Sequence, residues 1–506
     1  MKTKLISGIV ILFLVLSCDS SFEDLNYNYN NVNTDEAAHP SLLLRGTMLA
    51  DIAINNSHLQ RIAGMWTGQY RGEIALYLGL YNYDISSSES DSAWTYLYNG
   101  MLKQFSEINK YYAINGMDDQ GQLITGICEV LEAHAVGTAT SIWGDIPYYE
   151  AVNPDISDPA FDKQSDIYKA LQKKLDTAID RLTKLKNKLS VLQEKLPLAQ
   201  DIFFAGDIDK WLKTANTLKA RYYLQTREYA EARSAALKGI SVNAESMKFT
   251  PPIKVGTTAS ADTGTENLLH RFMVGTRIGF LSVTNTFCRK LLDTQANFPT
   301  ISRRNAKTNE SARRNHLNAG VISGTSTKTI INGETKPMDL VTYQENLLIL
   351  AEAGARTVSF DEGLLQLNKV RVFLASTDSF DKRTTTSLTE TEEVLPIENT
   401  KLYTAYVAAD FAGAGMENLD SKLSPVRALL REIIEERYVT GFGTFMPWND
   451  ARRLRKSEPD IAVPIPLNNA TATQHPERFI ISQDEINSNS NAPKGLTIYS
   501  PTELNE

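Results

Sequence analysis

Cysteine is scarce in this sequence. The 506 residues contain three cysteines, at positions 18, 128 and 288. An odd and small number in a long chain excludes a small secreted domain held together by disulfides. Cys128 and Cys288 stand in apolar helical patterns, so we expect both to be buried thiols.

Long runs of basic residues are also lacking. Acidic residues outnumber Lys and Arg by 60 to 52, the net charge is -8 and the pI is near 5.5. Nucleic-acid binding depends on cationic groups that neutralise phosphates. The charge balance therefore argues against a nucleic-acid-binding protein.

The common catalytic motifs do not occur. The chain has no G-x-S-x-G, H-E-x-x-H, P-loop or C-x-x-C pattern. Its six histidines are scattered, and none is spaced with a second histidine and a carboxylate as a metal site requires. We therefore expect no catalytic residues, no metal and no cofactor, and hence a protein that is not an enzyme.

The strongest apolar run lies at the N-terminus. Residues 1–4 carry two lysines, residues 5–16 are almost wholly apolar, and Cys18 follows after one serine. A spanning helix needs about 20 apolar residues, so residues 1–17 are interpreted as a signal peptide. Acyl chains such as palmitate on Cys18 would attach the mature chain to a membrane, at about 0.8 kcal/mol per buried CH2. The alternative is an ordinary cleaved signal peptide with an incidental cysteine.

Helical periodicity dominates the rest of the chain. Residues 18–40 are rich in Asn and Tyr without helical period, and are interpreted as an extended tether. From residue 41 onwards, apolar residues recur at the three- and four-residue spacings of amphipathic helices. The longest run is Ile167, Leu171, Leu175, Ala178, Leu182 and Leu185. We therefore predict a single, mainly α domain over residues 41–506.

Paired helices and long irregular stretches alternate in this domain. Residues 343–354 and 361–375 predict two antiparallel helices with small residues where they cross. Such pairs are typical of tetratricopeptide-like units, although no segment carries the full repeat consensus. The stretches without period are 68–92, 251–275, 303–342, 377–418 and 464–506. Loops of this length are uncommon unless they are functional, so we predict a helical scaffold with irregular ligand-binding insertions.

The first of these regions is rich in aromatic and polar side chains. Flat rings can stack on the C–H faces of sugars while Asn and Arg hydrogen-bond to hydroxyls, and the same groups can clamp a peptide backbone. The predicted ligand-binding residues are Trp66, Tyr70, Arg71, Tyr77, Tyr81, Asn82, Tyr83 and Trp94. For Trp66 and Trp94 the alternative is a place in the core, because each stands beside apolar helical neighbours.

Several short motifs follow one another along the chain. Cys18 is followed by acidic residues, residues 141–151 read SIWGDIPYYEA, and residues 161–168 read FDKQSDIY. Further matches lie at residues 218–224, 352–353, 434–438, 448–453 and 463–468. Together, in this order, they resemble the motifs of the SusD-like (SusD/RagB) nutrient-binding outer-membrane lipoproteins of Bacteroidetes.

This resemblance implies a function. It implies a glycan-binding protein without enzymatic activity, lipid-anchored in the outer membrane through Cys18 and facing the cell exterior. Its partner would be a SusC-like TonB-dependent transporter, to which it passes the captured oligo- or polysaccharide. It also implies that motif residues such as Arg437 and Arg452 are structural. A second candidate ligand face is residues 271–280, whose Arg277 and Phe280 are expected near the first aromatic stretch.

Three other functions compete with glycan capture. A peptide-capturing lid of the same importer would be favoured by more acidic or apolar walls around the aromatic stretch. A lipid-anchored hydrolase is disfavoured because no nucleophile–base pair or close carboxylate pair is apparent. A pure interaction scaffold would present a shallow face without clustered rings.

Overall fold

The domain begins with a helix at Pro40. The computed structural model describes residues 39–251, 267–293, 303–318, 336–380 and 400–506. The predictions for the signal peptide, for Cys18 and for most of the tether lie outside these residues. Within the described ranges, every helix is too short or too polar to cross a membrane.

Helices make up most of the described chain, as the sequence predicts. In chain order they are α1 (Pro40–Asn56), α2 (His58–Trp66), α3 (Ala75–Tyr81), α4 (Asp91–Leu97), α5 (Lys103–Asn115), α6 (Asp119–Trp143), α7 (Gln164–Leu192), α8 (Ile208–Gln225), α9 (Tyr229–Ala236), α10 (Leu268–His270), α11 (Phe287–Leu292), α12 (Ser311–Asn318), α13 (Tyr343–Thr357), α14 (Phe360–Ala375), α15 (Ala408–Phe411), α16 (Pro425–Thr440), α17 (Met446–Arg455) and α18 (Gln483–Ser488). The mainly α fold class is therefore confirmed.

Strands are short in the described ranges. They are β1 (Arg71–Gly72), β2 (Met247–Phe249), β3 (Leu281–Ser282), β4 (Thr308–Asn309), β5 (Met338–Val341) and β6 (Leu402–Tyr403). They pair as three two-stranded antiparallel sheets, β1 with β3, β2 with β5 and β4 with β6. Each sheet joins segments that are distant in the sequence, so the sheets connect irregular parts of the chain that lie far apart in it.

The long helices α6 and α7 pack against each other. α6 begins where the carboxylate of Asp118 accepts a hydrogen bond of 2.7 Å from the amide of Gly121. It ends at Gly144, whose φ of 83° suits a residue without a side chain. All six apolar residues of the predicted α7 stripe are buried. A Cβ on Gly126 of α6 would lie 2.7 Å from a methyl group of Leu182, so the two helices pack closely.

A second predicted pair, α13 and α14, is also present. Only Val358 and Ser359 separate the two helices, so the chain reverses within two residues. The hydroxyl of Ser359 caps α14 by accepting a hydrogen bond of 3.1 Å from the amide of Glu362. A Cβ on Gly363 would lie 2.5 Å from the Cβ of Ala355. The small residues that the sequence places at this crossing are therefore a packing requirement.

Replacing Gly363 by alanine is expected to lower the free energy of unfolding by about 1–3 kcal/mol, because the new methyl group overpacks the contact with Ala355. Urea denaturation followed by circular dichroism measures the change. The matched control is Gly46→Ala in α1, where a Cβ would meet no atom within 4 Å. That variant is expected to gain up to about 1 kcal/mol from helix propensity. Equal effects at the two sites would contradict the packing argument.

A buried ion-pair network joins α13 to the last long helices. The carboxylate of Glu352, which is 0% exposed, accepts hydrogen bonds from Arg437 of α16 and from Arg453 of α17. Both guanidiniums also donate to Asp450. Burial alone would raise the pKa of Glu352, but Arg437 and Arg453 outweigh it and hold that pKa well below its usual range. The network gives the motif residue Arg437 a structural role.

The two cysteines in the described ranges are buried free thiols, as expected. Burial raises the pKa of Cys128 well above its ordinary value, and it raises that of Cys288 to about 12. Since the thiolate is the reactive form, both side chains behave as small apolar residues at neutral pH.

Candidate functional site

Five of the predicted ligand-binding rings lie in the core. The side chains of Trp66, Tyr70, Tyr77, Tyr83 and Trp94 are between 1% and 7% exposed. A buried ring has no free face on which a ligand can stack. The prediction that these five rings form an exposed binding surface is therefore wrong.

Trp66 illustrates what these rings do instead. It is the last residue of α2, and its ring stacks on Phe479 with centroids 4.8 Å apart. It also contacts Trp448, at 5.5 Å between centroids. Its indole N–H donates a hydrogen bond of 2.8 Å to the carbonyl of Leu80. Trp66 thus joins α2, α3 and the C-terminal segment, as its core alternative predicts.

Trp94 and Tyr83 have comparable roles. The ring of Trp94, on α4, lies 4.9 Å from that of the motif residue Trp143, and its N–H donates to Glu485 at 3.3 Å. The hydroxyl of Tyr83 accepts a hydrogen bond of 2.8 Å from the amide of Asn468. For Trp94, too, the core alternative is the correct one.

The buried Tyr77 connects α2 to the segment that contains Phe272 and Phe280. Its hydroxyl accepts a hydrogen bond of 2.9 Å from Arg61 and lies 3.0 Å from Nδ1 of His58. Its ring lies 4.7 Å from that of Phe272 and 6.4 Å from that of Phe280. Tyr77 therefore supports the segment that carries the second candidate face.

The structure brings the two candidate segments together. β1 pairs with β3, with Arg71 opposite Ser282 and Gly72 opposite Leu281. The amide of the next residue, Glu73, donates a hydrogen bond of 3.0 Å to the carbonyl of Phe280. Segments some two hundred residues apart thus form one surface, and Phe280 lies beside the first stretch as expected.

Gly72 is needed for this arrangement. A Cβ at this position would lie 1.9 Å from the carbonyl oxygen of Tyr77 and 3.0 Å from the Cβ of Tyr81. Only glycine lets β1 pass so close to α3. Tyr81 is consequently held next to the β1–β3 pair.

The accessible side chains at this junction form what we call the Tyr81–Phe280 surface, defined by Arg71, Tyr81, Asn82, Arg277 and Phe280. Both arginines are exposed, and the other three side chains are partly exposed. The guanidinium of Arg277 lies 5.7 Å from the ring centroid of Phe280. Burial raises the pKa of Tyr81, and nearby Arg71 opposes the rise. The phenol therefore stays protonated at neutral pH and can both donate and accept a hydrogen bond.

Hydrogen bonds from Asn468 and Asn469, in the C-terminal part of the chain, hold the backbone of this surface in place. The side-chain amide of Asn468, in the last of the sequence motifs, donates to the carbonyls of Met65 at 2.8 Å and Tyr81 at 3.2 Å. That of Asn469 donates to the carbonyl of Asn82 at 3.3 Å. The backbone that carries Tyr81 and Asn82 is thereby tied to the scaffold.

Exposed aliphatic residues next to this surface were missed by the sequence reasoning. Ile74, Leu76 and Leu78 are 47%, 52% and 42% exposed, and Ile278 is 54% exposed. The first three lie on or beside α3, a helix in a region that lacks helical period and where the sequence predicts an irregular stretch. Almost every position of that helix is apolar, so no helical period marks which of its side chains face solvent.

The charged groups elsewhere in the described ranges do not assemble a metal centre: no group of three or more His, Cys, Asp or Glu side chains could hold an ion there. The carboxylate of Asp162, for example, accepts hydrogen bonds from the amides of Tyr148 and Tyr149. The buried His134 pairs with Asp51 at 2.9 Å. These side chains hold the scaffold together.

Comparison with known proteins identifies the fold family. A SusD-like family model, described as "Starch-binding associating with outer membrane", matches residues 31–362, which is more than half of the chain. The chain belongs to the SusD-like family. The resemblance seen in the sequence motifs is thus confirmed.

Solved SusD-like structures share the fold over nearly the whole chain. A SusD/RagB family protein from Bacteroides thetaiotaomicron is 20% identical, with a TM-score of 0.63, and the match covers 92% of this chain and 98% of that one. A chitin-binding SusD homolog from Flavobacterium johnsoniae is 16% identical, with a TM-score of 0.59 and coverage of 89% and 94%. A SusD homolog from Parabacteroides distasonis is 18% identical, with a TM-score of 0.62 and coverage of 94% and 98%. Among curated proteins no match is found.

Proposed function

We propose that this SusD-like protein is a non-enzymatic surface protein that captures an oligo- or polysaccharide and passes it to a SusC-like TonB-dependent transporter. The observation that carries the proposal is the Tyr81–Phe280 surface. It is supported by the pairing of β1 with β3, which joins the two segments that carry two partly exposed rings and two exposed arginines. A protein that binds a glycan and passes it on unchanged needs side chains that bind the glycan, and it needs no catalytic residues.

The chemistry of this surface suits a sugar chain. The rings of Tyr81 and Phe280 offer apolar faces for the C–H faces of a pyranose, and aromatic contacts of this kind supply much of the energy of a binding site. Arg71, Asn82 and Arg277 supply donors for hydroxyl oxygens. The hydroxyl of Ser282, opposite Arg71, already donates to Glu73 at 2.6 Å. The apolar C–H faces and the hydroxyl groups of a carbohydrate would therefore both find partners at this surface.

The related proteins support a glycan as the ligand. The family is described as starch-binding, and the homolog from Flavobacterium johnsoniae as chitin-binding. Association with the outer membrane is part of the family's description. For this chain we propose attachment through acyl chains on Cys18, with the binding surface facing the cell exterior and the transporter beneath it.

A peptide is the second candidate ligand. The exposed aliphatic residues Ile74, Leu76, Leu78 and Ile278 favour it, because they add an apolar wall beside the Tyr81–Phe280 surface. Apolar peptide side chains would bury against such a wall, whereas sugars would not gain from it. A Leu76→Ser variant separates the two ligands. It is expected to weaken peptide binding and to leave glycan binding unchanged.

Alanine in place of Tyr81 or Phe280 is expected to weaken oligosaccharide binding by about 1–3 kcal/mol, as the loss of a central aromatic anchor does. Calorimetric titration with starch and chitin oligosaccharides measures the change, and affinity electrophoresis tests the polymers. The control is Tyr149→Ala, an exposed ring (62%) that lies beside the start of α7. The Tyr149→Ala variant is expected to bind oligosaccharides with the affinity of the wild type.

Two results would contradict the proposed function. One is binding of an oligosaccharide with the same affinity in the wild type and in both ring variants. The other is hydrolysis of the polysaccharide by the purified protein that a single Asp or Glu substitution abolishes.

A further inference from the structure

The described part of the chain starts at one end of the helical scaffold. The ring of His39, just before α1, lies 5.9 Å from that of Tyr111, which stands one turn before the end of α5. A Cβ on Gly121, in the first turn of α6, would lie 2.7 Å from the ring of Tyr112. The start of α1, the end of α5 and the start of α6 are therefore close together.

The end of α7 lies at the same place, because α6 and α7 run antiparallel. Asp119, the first residue of α6, pairs with Lys188 at 2.7 Å. Further along α6, Glu129 pairs with Arg181, an earlier residue of α7, at 3.0 Å. α7 continues for one more turn beyond Lys188 and ends at Leu192. The ends of four helices thus meet at one end of the scaffold.

Large apolar side chains are exposed at this end of the scaffold. We call it the Ile114–Val191 end, defined by Leu42, Ile114, Met117, Val191 and Leu192. Ile114 and Val191 are each 83% exposed, the highest values among the large apolar side chains of the described ranges, and the other three are between 37% and 60% exposed. Single exposed apolar residues are ordinary, but a group of them at one place marks an interaction site.

The core does not require these apolar side chains. The buried stripe of α7 ends at Leu189, and Val191 and Leu192 stand outside it. The buried side chains of α5 lie on the face of that helix opposite Ile114. Apolar surface in water is unfavourable, so the concentration of these residues at one end indicates an apolar partner.

The charged groups around this end are balanced. The lysines in the last turns of α7 pair with aspartates: Lys184 with Asp180, Lys186 with Asp209 and Lys188 with Asp119. Neither a strongly acidic nor a strongly basic partner is therefore favoured. Lysines beside aliphatic residues suit a lipid surface, because their long side chains keep the ammonium among the headgroups while the aliphatic neighbours lie deeper.

The position of His39 identifies this partner. His39 follows Cys18 by 21 residues, which span at most about 70 Å. With acyl chains on Cys18 in the bilayer, the end of the domain at His39 is the part held nearest to the lipid. Attachment also confines the domain to the bilayer surface, so that even a weak contact becomes populated.

We propose that the Ile114–Val191 end rests on the lipid bilayer and buries its aliphatic side chains at the boundary between headgroups and acyl chains. The inference rests on the proposed attachment through Cys18, and it adds a contact between the folded domain and the lipid. α1 runs from this end towards α2 over about 25 Å. The contact therefore keeps the Tyr81–Phe280 surface, which α2 and α3 help to form, away from the bilayer.

Tryptophan fluorescence on vesicles tests the proposal. All five native tryptophans are buried, so lipid cannot reach them. The mature chain, residues 18–506, is coupled through the thiol of Cys18 to a maleimide lipid, and the coupling is selective because Cys128 and Cys288 are buried. The vesicles contain phosphatidylethanolamine, phosphatidylglycerol and a phosphatidylcholine with brominated acyl chains, which quench tryptophan on contact. Vesicles without bromine give the reference fluorescence.

Val191→Trp is expected to lose fluorescence on the brominated vesicles and to shift its emission to the blue. The matched control is Val372→Trp on α14, a helix that packs against α13 and α16. Val372 is 68% exposed, and the control is expected to keep its fluorescence. In Leu192→Trp, replacement of both Ile114 and Val191 by serine is expected to abolish the quenching. Thermal denaturation of the serine variant is expected to match the wild type, because the core does not include these side chains.

Three outcomes would overturn the proposal. Equal quenching of Val191→Trp and Val372→Trp would show that attachment alone brings both positions to the lipid. Quenching of Leu192→Trp that persists after both serine replacements would show that the aliphatic side chains do not make the contact. Absence of quenching in Val191→Trp would leave this end to a protein partner.

These outcomes are independent of the proposed function. The maleimide lipid replaces natural acylation, so the vesicle experiment does not depend on whether cells acylate Cys18. The variant with serine at positions 114 and 191 is expected to bind starch or chitin oligosaccharides like the wild type, because neither residue belongs to the Tyr81–Phe280 surface. Failure of this proposal is therefore distinguishable from failure of glycan capture.

Discussion

Glu352→Ala is expected to lower the free energy of unfolding by about 3–5 kcal/mol, the usual cost of removing one partner from a buried ion pair. The substitution leaves Arg437 and Arg453 in the interior without the carboxylate that accepts their hydrogen bonds. Both guanidiniums are almost wholly buried, at 1% and 3% exposure, so water does not replace the lost partner. Urea denaturation at neutral pH measures the effect.

The matched control for this variant is Glu107→Ala, which breaks the exposed pair of Glu107 with Lys110 on α5. Exposed pairs contribute roughly 0–1 kcal/mol, so a change within about 0.5 kcal/mol is expected. A similar small change for Glu352→Ala would contradict the structural role of the network.

The stabilising contribution of Glu352 is also expected to depend on pH. The pKa of Glu352 is lowered in the folded state, so its stabilising contribution is fully present above the ordinary Glu pKa of about 4.3. The contribution is lost as the pH falls through the folded-state pKa. The difference in stability between wild type and Glu352→Ala is therefore expected to be constant from pH 7 to about pH 5 and to shrink under stronger acid. A difference that grows with acid would contradict the sign of the shift.

Trp66→Ala is expected to cost about 3–5 kcal/mol of stability, as other large-to-small substitutions of a buried aromatic ring do. The variant loses the stacking on Phe479, the contact with Trp448 and the hydrogen bond to the carbonyl of Leu80. Thermal and urea denaturation measure the loss. At temperatures where the variant remains folded, its affinity for oligosaccharide is expected to stay close to that of the wild type.

This variant separates a core ring from a binding ring. Tyr81→Ala is the comparison, because Tyr81 is only partly buried and belongs to the Tyr81–Phe280 surface. We expect Trp66→Ala to affect mainly stability and Tyr81→Ala to affect mainly binding. Loss of binding in Trp66→Ala without loss of stability would make Trp66 a ligand-binding residue after all.

The periodic part of the sequence determined the scaffold. The stripe from Ile167 to Leu185 predicts α7, and every member of it is buried. The break after residue 354 predicts the pair α13 and α14, and the close approach of Gly363 to Ala355 explains the small residues there. The ordered motifs identify the family. All of these signals lie within short segments, where hydrogen bonding and side-chain spacing are set by near neighbours.

Only the tertiary structure decided the binding surface. Trp66, Tyr77 and Tyr81 stand close together in one stretch of sequence, yet the first two are buried and the third is partly exposed. Phe280 joins Tyr81 because β3 pairs with β1 across two hundred residues. Composition fixes how many rings and amides a chain has, but which of them reach solvent depends on what packs over each one, and that is set by contacts between segments distant in the sequence.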